Sequence, residues 1–361
     1  MSTLIFIHLG PKAPKHLWDN ISRTKSQFPS LRVALVSNNV EVLEFAKNRN
    51  IEIFAYKTSI TTEKIFESME KSFDLSFRLG FWRYSLERLF ALCAVHELIG
   101  EENIVHLESD ILIFDNFPWN ALAHLESMAW LTFNRNSDVA AIVSSPNLSS
   151  TRKFYQHLEK ALIRDSSLTD MTVLSSIRKN YPNEYETLPS ISPTIAQKLQ
   201  ITNQDLAKNF ERFGGYFDPA ALGMWNLGQD PRNGFGFAKR FKDMPEAAFA
   251  PSAVRLTCSN GFNLIDQNQD SVFNLHVHSK NRRILKTRNA TYLSKFLHEG
   301  RYRKKSSYFS TSLFIELIID YKSRGKLIEL AGNTPLAKRL EKYEIAKKLK
   351  KFLKDKRNKA S

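Results

Sequence analysis

Four short runs rich in Ile, Val and Phe occur early in the chain: TLIFIHL at 3–9, LRVALVS at 31–37, IEIFAY at 51–56 and NIVHL at 103–107. Their length and composition read as strands, and the stretches between them, among them HLWDNISRTKSQF, VEVLEFAKNRN and FWRYSLERLFALCAVHELIG, carry helical period. A helix between successive strands returns the chain to the same end of the sheet, so such strands run parallel. The fold class this implies is α/β: a Rossmann-type, mainly parallel sheet flanked by helices.

Downstream, SMAWLTF and DVAAIVSS read as strands, TRKFYQHLEKALI and TDMTVLSSIRKN as helices, and FGGYFDPAALGMWNLGQDPRNGFG as a Gly-rich segment. SAVRLTC and VFNLHVH read as two further strands, and beyond about residue 290 the pattern is helical and basic. With 361 residues, 42% of them hydrophobic, the chain can bury a substantial core. We divide it into a main domain at 1–290 and a basic helical C-terminal extension at 291–361.

The net charge of +15 is concentrated in that extension. Residues 301–361 hold 18 Lys and Arg against 6 Asp and Glu, a net of +12, which leaves +3 for the first 300 residues. PLAKRLEKYEIAKKLKKFLKDKRNK places Leu336, Leu340, Ile345, Leu349 and Phe352 in an approximate stripe among lysines. A basic amphipathic helix of this kind is suited to an anionic membrane surface, with a solvated helix packed on the main domain as the plainer reading. The apolar runs fall short of a membrane span, the start lacks a basic leader, and Cys93 and Cys258 both lie in apolar segments. These features predict a cytoplasmic protein, peripheral on the inner membrane face if the tail binds lipid.

NIVHLESDILIFDNFPW, residues 103–119, has the apolar content of a buried strand yet carries Glu108 and Asp110. On a strand these two side chains share a face while Ser109 points away. Two adjacent carboxylates repel unless a cation lies between them. Mg²⁺ or Mn²⁺ suits such oxygen ligands, with a diphosphate completing the shell. Ligands of parallel sheets collect at the carboxyl ends of strands, where this pair falls. The alternative is an acidic turn paired with nearby arginines.

FWRYSLERLFALCAVHELIGEENIVHLESDILIFDNF resembles the segment of family 8 type glycosyltransferases in which a helix bearing an Arg leads into a strand ending in Asp-x-Asp. LTDMTVLSSIRKNYPNEYETLP is similar to the later helix of that family whose aspartate faces the sugar, and NLHVHSKN to its C-terminal strand with a metal-binding histidine and a phosphate-binding lysine. FDPAALGMWNLGQDPRN resembles a signature of bacterial and viral glycosyltransferases of this general kind. The resemblance covers roughly residues 1–285 as scattered motifs, with Glu108 standing where the family has Asp. It implies a GT-A-like fold, a divalent metal and a nucleotide-sugar donor.

On that resemblance Asp110 is the principal metal ligand, and Glu108 touches the same ion or the ribose. His276 and His278 share one face of a strand, and we take His278 as the third ligand because Ser279 and Lys280 follow it at the strand's opening. Lys280 would face the diphosphate, and Arg88, on the flank of its helix's apolar stripe, the donor sugar or phosphate. Arg83 is more simply an i,i+4 partner of Glu87. Asp170 and Asp218 both stand at helix starts, where capping is the default role. Asp170 is the candidate toward the donor sugar if the enzyme retains configuration, and Asp218 the candidate base if it inverts. His8 and Gly10 after the first strand and Ser37 and Asn38 at the end of the second are strand-end positions suited to the nucleotide, with turn formation as the alternative.

The leading function is therefore transfer of a hexose from a nucleotide-diphosphate sugar, in the first place a UDP-sugar, to a glycan or glycolipid acceptor. A sugar-nucleotide nucleotidyltransferase would need a Gly-rich basic phosphate loop after the first strand, and HLGPKAPKH is a poor one. A non-catalytic polyanion or membrane binder would spread its basic residues over the main domain; with the surplus confined to the tail, no nucleic-acid partner is expected.

Overall fold

The computed structural model describes residues 2–75, 77, 80–100, 103–228, 237–238, 247–259, 261–278, 284–294, 297 and 308–309. The first half of the chain runs β1 (Thr3–His8), α1 (Lys15–Gln27), β2 (Arg32–Ser37), α2 (Val40–Lys47), β3 (Glu52–Ala55), α3 (Ile60–Met69), α4 (Phe81–Ile99), β4 (Ile104–Leu107), β5 (Ile111–Ile113) and α5 (Trp119–Ala123). It continues through β6 (Met128–Thr132), β7 (Asp138–Ser145), α6 (Leu148–Arg164), α7 (Asp170–Asn180), β8 (Tyr185–Leu188), α8 (Pro193–Lys198), α9 (Phe210–Phe213), β9 (Gly215–Tyr216) and α10 (Ala221–Leu227). Short strands follow: β10 (Phe237–Ala238), β11 (Thr257–Ser259), β12 (Asn263–Ile265), β13 (Ser271–Val272), β14 (Asn274–His276) and β15 (Tyr308–Phe309).

The main sheet has the order β3-β2-β1-β4-β7-β6-β8. β3, β2, β1 and β4 are mutually parallel, β7 runs against β4 and β6, and β8 is parallel to β6. The sheet is thus mixed and mainly parallel, as the alternation of periods implies. From β1 the chain winds outward to β3, then returns to add β4 on the other side of β1. That reversal opens a crevice at the carboxyl ends of β1 and β4, the place where open α/β sheets bind ligands.

Alternate residues of each strand feed two cores. Leu4, Phe6, Leu35, Val105 and Leu107 join α1 and α2 on one face, while Ile5, Val36, Ile104 and Val143 meet α3, α4, α6 and α7 on the other. The first core continues through Ile284, Leu285, Leu293 and Leu297, past residue 290. Helix starts are fixed locally: Asn39, Ser59, Asn147 and Thr169 each accept a bond from a backbone N–H of the first turn.

Three segments differ from the sequence reading. SAVRLTC begins inside a 3-10 turn at Pro251–Ala253, which Pro251 opens, and pairs as a strand only from Thr257. VFNLHVH is divided between β13 and β14. The run 103–119 is divided between β4, which stays in the main sheet, and β5, which pairs with β14 instead of joining it. The basic extension lies outside the described residues, apart from the positions given above. No helix among the described residues is long and apolar enough to cross a membrane.

Candidate active site

Between β4 and β5 the chain makes a turn. Glu108 N–H donates to the Ala141 carbonyl at 3.0 Å, and Ile111 N–H donates back to the Glu108 carbonyl at 3.1 Å. Helix α1 supports this turn from one side. Asn20 donates its Nδ2 to the carbonyls of Ser109 and Ile111 at 3.1 and 2.8 Å, Arg23 donates to that of Ile113 at 3.0 Å, and His16 Nε2 lies 3.2 Å from Ser109 Oγ. Ser109 is thereby held toward α1, leaving the flanking carboxylates to face elsewhere. The convergence of Glu108 and Asp110 thus comes from a turn and not from the alternation of a strand.

β14 brings the histidines to this turn. It pairs antiparallel with β5, His276 opposite Ile111, and Val277 N–H donates to the Asp110 carbonyl at 2.8 Å. His276 Nε2 lies 3.2 Å from Glu108 Oε2 and 3.3 Å from Asp110 Oδ1. Its Nδ1 donates to the Pro219 carbonyl at 3.0 Å. The His276 and His278 rings stack with centroids 3.8 Å apart. One ligand atom from each of Asp110, His276 and His278 falls within 4.8 Å of the others. His276, set behind His278 as the third ligand in the sequence reading, therefore occupies the centre of the cluster, with His278 beside it.

This donor set fits a divalent ion. With Nδ1 committed to Pro219, Nε2 can carry only one proton, yet two carboxylate oxygens stand within 3.3 Å of it. A cation bound by the Nε2 lone pair would satisfy both oxygens at once. The electrostatics agree. Burial works against the His276 cation, but Asp110 and Glu108 raise its pKa well above 6.5. Burial likewise pushes Asp110 up, and His276 with His278 and His16 more than reverses this. The site thus already favours positive charge between its carboxylates.

Arg88 closes the other side. Its two terminal nitrogens reach Glu108 Oε1, in a short ion pair, and Asp170 Oδ2 at 2.8 Å. Burial raises the Glu108 pKa, but Arg88 and then His276 overcome it and leave it at about 2. Asp170, with Arg88 as its ion-pair partner, stays raised because burial outweighs that one cation. Capping is not the role of Asp170: Thr169 accepts from Thr172 N–H while Thr172 Oγ1 accepts from Thr169 N–H, a complete capping box. That leaves Asp170, the first residue of α7, to point at Arg88. Arg83 bonds Glu87 at 3.3 Å, as its spacing implies, and also Glu63 at 2.6 Å.

His8 ends β1 directly beside Ser37 at the end of β2. Burial lowers the pKa of its imidazole, against a bond with the Lys12 backbone that raises it. Asn38 Oδ1 accepts from Gly10 N–H at 2.9 Å, and Asn39 donates to the Pro11 carbonyl at 2.9 Å, so the loops after β1 and β2 are tied together. Gly10 has φ +113°, and a Cβ there would meet the Tyr84 ring at 2.9 Å. Tyr84 lies one turn before Arg88 on α4, so the loop after β1 rests on the helix that carries the arginine. Ser37 is fully buried and its Oγ accepts from Asn39 N–H. Lys280 lies outside the described residues.

Asp218 does not serve as a base. Its carboxylate is fully buried, with Oδ1 accepting from the N–H groups of Ala220 and Leu222 and Oδ2 from those of Gly223 and His276, at 2.7–3.0 Å. No acceptor hydroxyl reaches a carboxylate so enclosed. The residues that sequence reasoning passed over are Tyr84, whose ring needs glycine at positions 10 and 80, and Pro219, whose carbonyl orients His276. Neither the Gly10–Tyr84 approach nor the Pro219 contact is marked in the sequence.

No family model matches the chain, and no curated protein does. Among solved structures, part of it is similar to the galactosyltransferase LgtC in complex with donor and acceptor sugar analogues, at 12% identity over 57% of this chain and 84% of that one, with a TM-score of 0.36. It is also similar to the PaToxG glycosyltransferase (10% identity, 59% and 78% covered, TM-score 0.35) and to a CMP:2-keto-3-deoxy-manno-octonic acid synthetase complexed with CTP (10%, 55% and 96%, TM-score 0.33). At these scores the likeness adds no argument to the geometry.

Proposed function

We propose that the chain is a metal-dependent glycosyltransferase with a GT-A-like fold that moves a hexose from a nucleotide-diphosphate sugar, in the first place a UDP-sugar, to a glycan or glycolipid acceptor. The observation that carries this reading is the convergence of Glu108, Asp110, His276 and His278 at the carboxyl ends of β1 and β4, where the sheet's winding reverses. Asp110, His276 and His278, with Glu108, would hold Mn²⁺ or Mg²⁺, whose charge offsets that building on the departing diphosphate. Arg88 is one ion pair from both Glu108 and Asp170, and in this reading it and Asp170 position the donor sugar. The loops bearing His8, Gly10 and Asn38 form the nucleotide end, and Lys280 is assigned to the phosphates.

A screen of nucleotide-sugars for Mn²⁺-dependent thermal stabilisation tests the proposal. Stabilisation by one donor, lost on chelation, supports it. A response confined to a nucleoside triphosphate and a free sugar would favour a nucleotidyltransferase, and no response to any nucleotide a non-catalytic binder. We further propose that residues 291–361 attach the enzyme to anionic membrane from the cytoplasmic side. The full chain should float with anionic liposomes and a chain ending at residue 300 should not; equal partitioning would count against it.

A further inference from the structure

Asp218 and Pro219 are tied to β14 by four hydrogen bonds. Asp218 N–H donates to Asn274 Oδ1 at 3.0 Å, and Asn274 Nδ2 returns a bond to the Asp218 carbonyl at 2.9 Å. His276 N–H donates to Asp218 Oδ2 at 3.0 Å, and His276 Nδ1 donates to the Pro219 carbonyl at 3.0 Å. The remaining acceptor capacity of Asp218 holds the first turn of α10, through Ala220, Leu222 and Gly223. Gly223 permits this closeness: a Cβ there would lie 1.9 Å from the His276 carbonyl oxygen and 2.9 Å from Asp218 Oδ2.

One buried carboxylate therefore fixes three things together: the backbone of His276, the turn that presents the Pro219 carbonyl, and the helix pressed against that strand. The Pro219 carbonyl can only accept, so Nδ1 bears the proton and Nε2 is directed at Glu108 and Asp110. We propose that Asp218 is the positioning residue of the metal centre, holding His276 in the Nδ1–H tautomer with Nε2 aimed at the ion. The inference rests on the metal-centre reading above. It replaces the base role with one exerted through His276. Asp218→Asn would set an amide N–H against backbone N–H donors, and because each carboxylate oxygen accepts two of them, two of the four bonds the carboxylate accepts must break and the mount must loosen.

The test is Mn²⁺ titration of the full chain, following free Mn²⁺ by electron paramagnetic resonance, for wild type, Asp110→Asn, Asp218→Asn and Arg178→Met. The last breaks a buried ion pair with Asp138 elsewhere in the fold and serves as a control of similar stability loss. Wild type should bind Mn²⁺, and Asp110→Asn should not. Folded Asp218→Asn should bind about 10–100-fold more weakly, while Arg178→Met keeps wild-type affinity. Wild-type affinity in Asp218→Asn, with binding abolished in Asp110→Asn, overturns the positioning role alone. Absence of Mn²⁺ binding by wild type overturns the metal centre and this inference together. Should Asp218→Asn fail to fold, ¹⁵N-histidine spectra of wild type with Zn²⁺ decide: a His276 ring protonated at Nδ1 and ligated at Nε2 supports the role, and the opposite tautomer refutes it.

Discussion

Arg88→Met removes the charge that two buried carboxylates share while filling most of its space. Glu108 is lowered from 4.5 to about 2 although burial acts in the other direction, and Arg88 is the largest opposing cause. At about 1.4 kcal/mol per pH unit that lowering is worth roughly 3 kcal/mol. Arg88, Glu108 and Asp170 are each less than a fifth exposed, so solvent screening does little to reduce it. Breaking a buried pair generally costs about 3–5 kcal/mol, and a loss of that size is expected near neutral pH. The contribution of Glu108 is present above its unfolded pKa of about 4.5 and is lost as pH falls toward 2. In the variant, burial acts with less opposition on Glu108, where His276 remains, and on Asp170, where the Met171 backbone bond remains, so both carboxyls rise and the folded variant recovers stability by taking up protons. The gap between the two proteins should therefore narrow steadily from neutrality to about pH 4. Urea unfolding followed by tryptophan fluorescence measures it. A loss under about 1 kcal/mol near neutrality, or a gap that holds constant or widens on acidification, would refute the claim that Arg88 is what keeps these carboxylates charged.

Three further perturbations have defined outcomes. Gly80→Ala puts a Cβ 2.7 Å from the Tyr84 ring at φ +96°, and should cost more than about 1 kcal/mol in thermal unfolding; adding Tyr84→Leu should restore only the steric part, leaving the backbone strain. Arg178→Met strips the fully buried Asp138 of its cation, leaving Trp130 Nε1 as a remaining donor, and should cost about 3–5 kcal/mol in chemical denaturation. Thr169→Ala removes the cap of α7 and should lower stability by about 1 kcal/mol. Because the same cap sets the direction of Asp170, this variant should also raise the KM for the donor, measured by product formation, more than it lowers kcat.

What could be read from the chain, and what could not, divides by the range of the interaction involved. The strands at 3–8, 32–37 and 104–107 and the helices at 81–99 and 170–180 are legible because their apolar spacing is local. α3 is not, since its buried residues include Thr62 among Ile65, Phe66 and Met69 and the segment looks polar. α1 shows the same effect at the site. Its inward face carries Asn20, Arg23 and Gln27, residues a hydrophobic count would turn outward, because the turn holding Glu108 and Asp110 exposes carbonyls that need donors. Those carbonyls exist only because the chain leaves the strand at residue 108, a break that an apolar run does not announce.

The ranking of His276 and His278 turns on the same point. Alternation places both on one face and cannot say which is held by a second group; the choice is made by the Pro219 carbonyl, 57 residues away in sequence. Asp218 was legible as a helix-start residue, and it does hold the first turn of α10. Its bond to His276 N–H is what changes its meaning. A carboxylate that caps a helix and also grips the strand bearing a ligand reads, locally, like any other cap. The acids at 108 and 110 and the cation at 88 could thus be found from the chain because charge near apolar sequence is visible residue by residue. The groups that aim them could not, since each acts through a backbone N–H or carbonyl that does not depend on the side chain it belongs to.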